Sequence, residues 1–104
     1  MSIEKELLHK EMQQHEMEFL YYSATLTICS AGVDVLSEKY PDDLEMAYGA
    51  LGAVKFIKEK ADESYKAVQS SRELLGMESL PDDRIQATKI ISQRVNEEAE
   101  KTVQ

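Results

Sequence analysis

Apolar residues recur at helical spacing along most of this chain, and nowhere do they alternate with a period of two over enough residues to make a strand. Met12, Phe19, Leu26, Val33 and Tyr40 fall seven apart, a spacing that holds one stripe on one side of a supercoiling helix, and Ile3 and Leu7 add apolar positions upstream. The pattern predicts a first helix over 2–39. Between Phe19 and Leu36 further apolar residues widen the stripe until the segment reads as buried on more than one side. Gly32 is the weak point, costing about 1 kcal/mol relative to alanine inside a helix, and a break beside it is the chief alternative to one continuous element.

Leu44, Ala47, Tyr48, Leu51, Val54, Ile57, Ala61, Tyr65, Val68 and Leu75 predict a second helix over 43–75, with Gly76 placed to end it. Ala47, Gly49, Ala50, Gly52 and Ala53 crowd its first half, and such small residues let another helix approach closely. A third, more polar helix over 82–102 presents Ile85, Ile91, Val95 and Ala99 on one face, with Thr88 among them. The only two prolines sit in matching phrases, Tyr40-Pro41-Asp42-Asp43 and Leu80-Pro81-Asp82-Asp83. Each phrase is expected to open a helix, with proline in the first turn and aspartate, or Ser79 with Asp82, capping free amides. The residues that follow the two phrases differ, so they read as independent helix starts rather than as a repeat.

These elements make an all-α, single-domain chain over 1–104: a long antiparallel helical hairpin plus a shorter third helix, in a three-helix bundle. At 1.5 Å per residue the helices would measure ~57, ~50 and ~32 Å, so the third cannot cover the whole hairpin. Up-down-up order would start the third helix beside the beginning of the first and end it near Thr25. The hairpin tip is then left two-helical. Leu26, Ile28, Cys29, Val33, Val35 and Leu36 of the first helix, with Leu44, Met46, Tyr48 and Leu51 of the second, are more apolar surface than one hairpin covers by itself. A second copy packing tip against tip, as a local four-helix bundle, is the expected solution, and the expected assembly is a homodimer.

A net charge of −8, from 20 acidic against 12 basic residues, repels a phosphate backbone and argues against direct binding of nucleic acid. Residues 19–36 carry only Asp34 as a charge, but eighteen residues rich in Ser, Thr and Tyr make a poor membrane span, and no membrane association is expected. The single Cys29 lies within that apolar run and is expected to be buried and structural, which suits a reducing cytoplasm; the first residues lack the apolar core of a secretion signal.

The residues offer little chemistry. His9 and His15 are six apart and do not share a helix face, and there is no Glu-x-x-His pair of the kind that helical di-iron sites use. Cys29 has no base near it in sequence, and the pairs Asp42-Asp43 and Asp82-Asp83 are explained by capping. Hence no catalytic residue, no metal and no cofactor is expected. The reading that remains is a small acidic interaction protein that binds another protein: an adaptor, a small chaperone or an inhibitor of the kind bacteria and phages encode. The alternative is a helical oligomer holding a small ligand or nucleotide between subunits, with Tyr48, Lys55, Lys58, Lys60 and Tyr65 lining the pocket.

Overall fold

A computed structural model describes residues 2–103, and among these it contains three α-helices and no strand: α1 (Ile3–Lys39), α2 (Leu44–Leu74) and α3 (Arg84–Val103). The helix α1 runs unbroken through Gly32. Its start is capped by Ser2, whose side chain accepts from the Lys5 N–H, with Glu4 and Glu6 in the first turn where the helix dipole favours negative charge.

The capping chemistry differs in detail from the proline-first expectation. Pro41 and Asp42 form a turn and Asp43 is the N-cap of α2, its carboxylate accepting from the Met46 N–H at 3.0 Å. In the second phrase Asp83 does the same work, accepting from the N–H groups of Ile85 and Gln86 at 2.8 and 3.2 Å, so Ser79 and Asp82 are not the cap. Each proline therefore precedes its helix by three residues, and the second aspartate of each pair satisfies free amides. At the other end of α2, the Met77 N–H bonds the Arg72 carbonyl and the Gly76 N–H bonds that of Glu73, the paired arrangement of a Schellman stop, with Gly76 at φ +69°. Gly76→Ala should lower stability by roughly 1–2 kcal/mol, because a Cβ is unfavourable in the left-handed region; thermal denaturation followed by circular dichroism would show the midpoint falling.

The helix α1 packs against both α2 and α3, whereas α2 and α3 make no close backbone approach to each other. The direction of α3 overturns the up-down-up expectation. Arg84 at its start bonds Ser23 and Thr27, while Arg94 one decade later bonds Glu16, so α3 begins near the middle of α1 and runs back toward the α1 N-terminus. The cause is the connection 75–83, which folds back along α2 rather than turning sharply. Gln69 grips Leu80 from both sides, donating to its carbonyl at 3.0 Å and accepting from its N–H at 2.8 Å. The Tyr65 hydroxyl donates to the Pro81 carbonyl at 2.9 Å, and Arg72 Nε donates to that of Glu78 at 2.7 Å. Both α2 and α3 thus lie antiparallel to α1.

The core sits at this three-layered end. Met12, Phe19, Val68, Leu80, Ala87 and Ile91 are buried and in one cluster, flanked by Leu20, Tyr65, Leu75, Met77 and Val95. On α3 the inward face is Ala87, Thr88, Ile91 and Val95; Ile85 and Ala99 are exposed, contrary to the expected stripe, because Arg84 rather than Ile85 turns toward α1. Ile3 and Leu7 are also exposed. Phe19 meets Tyr65, so in the antiparallel pair the last turn of α2 lies level with about residue 10 of α1, and the first turns of α1 project beyond it.

Candidate interaction surface

The same heptad stripe that is sealed at one end opens toward the other. Met12 and Phe19 are buried, Leu26 and Val33 half-buried, and Tyr40 exposed. On α2 the order is mirrored: Ala61 and Val68 are buried, Val54 and Ile57 half-buried, and Leu44, Tyr48 and Leu51 exposed. Periodicity is unchanged along both helices; what changes is the presence of α3, whose seat on α1 begins at Ser23 and Thr27. Beyond that point only two helices face each other.

Charge is missing from the same stretch. No residue from 19 to 33 is charged, and none from 46 to 54. Ile28, Val35, Leu44, Tyr48, Leu51 and Phe56 each leave more than half of their surface open there. At roughly 150–250 Å² per large side chain these six expose on the order of 800 Å², more than isolated soluble chains ordinarily leave bare. Ile28 at 71% and Tyr48 at 74% point most fully outward. Val33 by contrast lines a cleft of about 210 Å³ between the helices, with Leu36, Tyr40, Met46, Ala50 and Leu51. Cys29 is half-buried rather than sealed, because no third layer reaches its level.

The expected tip residues thus fall into two sets. Ile28, Val35, Leu44, Met46, Tyr48 and Leu51 are exposed, and Leu26, Cys29, Val33 and Leu36 half-buried against the opposite helix. Phe56 is exposed in the same section, beyond Leu51 where the expected tip set ended, and Tyr21 is exposed further back, at the level of α3.

The residues of a ligand pocket do not converge. Tyr48 and Tyr65 are seventeen residues apart on one helix, a separation of about 26 Å. Tyr65 holds the connection, as described above, while Tyr48 is open to solvent. Lys60 pairs with Glu63 at 3.5 Å and lies 5.7 Å from the Phe56 ring centre, and Lys55 and Lys58 are exposed on the same helix. Lys60 borders a polar cleft with His15, Glu18 and Tyr22, which none of the other four enters. Among the described residues no group of three His, Cys, Asp or Glu side chains is placed to hold a metal ion.

The polar chemistry that the fold does concentrate holds α3 to α1. Glu16 is fully buried and receives two hydrogen bonds from Arg94, Nε to Oε2 at 2.7 Å and Nη2 to Oε1. The Arg94 guanidinium is held above its ordinary value chiefly by that hydrogen bonding and by the charges of Glu16 and Glu98, against the opposing effect of burial. A raised value means that the arginine's contribution is complete at neutral pH and is lost only in strong alkali. Nearer the tip Arg84 Nη1 donates to the Ser23 carbonyl at 3.0 Å and to Ser23 Oγ, which in turn lies 3.2 Å from Thr88 Oγ1. Sequence reasoning missed these latches. The available signal was Glu16 itself, a charge four residues after Met12 and three before Phe19, on the face that the apolar stripe buries.

By length and composition α1 contains a window apolar enough to cross a membrane, little of it buried within the molecule. Comparison with protein families, curated proteins and solved structures finds no match for this chain.

Proposed function

We propose that this chain is a helical interaction protein that works by binding protein through the tip of its α1–α2 hairpin, as an adaptor, small chaperone or inhibitor does, and without catalysing a reaction. One observation carries the reading: a two-helical tip with no charge from 46 to 54 and only Asp34 between 19 and 36, where six large apolar side chains from Ile28 to Phe56 are open to solvent, joined to the end that holds the buried core. Exposed apolar side chains on helix segments with so little charge belong in an interior, and a partner would supply one here. Lipid fits less well, since Ser23, Thr25, Thr27, Ser30 and Ser37 interrupt the run.

The test is site-specific photo-crosslinking in cells, with the reactive group replacing Ile28 or Tyr48 and, as a control, Glu100 at the far end. Adducts that add the mass of a protein are expected at the two tip positions and not at Glu100. Absence of protein adducts at the tip, or release of a small ultraviolet-absorbing molecule from the denatured protein in their place, would refute the reading.

A further inference from the structure

We infer that the occupant of the tip is a second copy of this chain, laid antiparallel so that the acidic extremity of each copy rests on a basic belt of the other. The inference rests on the reading of the tip as a protein-docking surface and adds to it the partner, the direction and the register. Glu38, Asp42 and Glu45 lie at the extremity and outnumber Lys39 there; all three are exposed, and among the described residues none has an ion-pair partner. Lys55 and Lys58 are likewise exposed and unpaired within one copy. Counted from the start of α2 these lysines stand ~17 and ~21 Å back along the hairpin, level with the point where α3 and Arg84 begin. Between the acidic and basic groups lies the apolar stretch, with Asp34 as its one charge.

That order, acid then apolar then base, is complementary to itself when one copy is reversed. A twofold axis through the middle of the stretch, near the level of Tyr48 and Leu51, places the acidic group of each copy over Lys55 and Lys58 of the other. A parallel arrangement would set acid on acid. Elsewhere the net charge of −8 makes two copies repel, so the apolar middle of the tip is the place where they can meet.

The dimensions agree. From Thr27, where α3 begins to cover α1, to Tyr40 is thirteen residues, a bare section of ~20 Å that matches the separation of the two charge groups. Two hairpins overlapping by that length form a four-helix segment, and the start of α3 meets the partner's turn and stops further sliding. The apolar area exposed in that section, on the order of 800 Å² per copy, is comparable to the ~800 Å² per partner of a stable interface.

Charge reversal tests this directly. Wild type should sediment as a dimer at about 50 µM in low salt. Lys55→Glu/Lys58→Glu should raise the dissociation constant tenfold or more, and so should Glu38→Lys/Asp42→Lys. An equimolar mixture of the two variants should restore association, because both junctions of the mixed dimer then pair opposite charges. All four side chains are exposed, so helicity by circular dichroism should match wild type in each variant. A monomeric wild type overturns the second copy as occupant but leaves tip crosslinks to a different protein able to stand. Loss of association without rescue in the mixture overturns the antiparallel register. Flotation of the wild type with neutral phosphatidylcholine vesicles, in place of dimerisation, would assign the surface to lipid.

Discussion

Arg94→Ala is expected to destabilise the protein by about 3–5 kcal/mol, the cost of leaving a buried charge without its partner. Glu16 has no exposed surface, and the Arg94 side chain that covers it is only 17% exposed. Removing the guanidinium takes away both hydrogen bonds and leaves a fully buried carboxylate without them. Since whole domains are stable by only about 5–15 kcal/mol, a substantial unfolded population should follow. Urea titration followed by circular dichroism measures the loss. A paired replacement, Glu16→Met with Arg94→Leu, should recover most of it, because two apolar side chains of similar size need no compensating charge. A loss below about 1 kcal/mol for Arg94→Ala would mean that the pair is hydrated and behaves as a surface bridge.

Phe19→Ala should cost a similar amount, about 3–5 kcal/mol, by a different route: a large side chain is deleted where three elements meet and the cavity can close only partly. Phe19 is 1% exposed and its ring stands 6.0 Å from that of Tyr65, which holds the connection to α3. The loss should therefore be felt at α3 as well as at the hairpin. Ile28→Ala, nine residues along the same helix, removes a side chain that one copy leaves in water and should change the stability of that copy by less than about 0.5 kcal/mol. Equal effects at the two positions, measured in dilute solution, would contradict the burial gradient.

The contrast between those two sites shows which parts of the fold could be read from the sequence. Helix extents were legible because they follow from local chemistry: Ser2 and Asp43 cap, Gly76 stops, and the heptad from Met12 to Tyr40 runs without interruption. The path of α3 was not legible. It depends on Gln69, Tyr65 and Arg72 binding backbone groups of residues 78–81, and bonds to main-chain carbonyls leave no periodic trace in a sequence. For the same reason Ile85 was assigned inward although its neighbour Arg84 holds that position. At the tip the absence of charge was visible in the residue order, but the difference between Val33, turned into the cleft, and Ile28, turned to solvent, is a matter of helix rotation that only the packed hairpin defines. Ile28 is therefore the better position than Val33 for placing a charge, since glutamate at Val33 would also burden the hairpin itself.

The folded-back connection has a topological consequence. Because α3 runs antiparallel to α1, its last turns come to lie beside the first turns of α1, at the sealed end, while the link between α1 and α2 crosses the open end. The covalent joint at Pro41–Asp42 thus spans the place where the helices hold each other least, and contacts as remote as Arg94 with Glu16, 78 residues apart, hold the place where no joint is needed. A circularly permuted chain, opened at that turn and joined across the sealed end, would shorten the sequence separation of the latch between α1 and α3 from 78 residues to about a third of that plus the linker, and leave the core untouched.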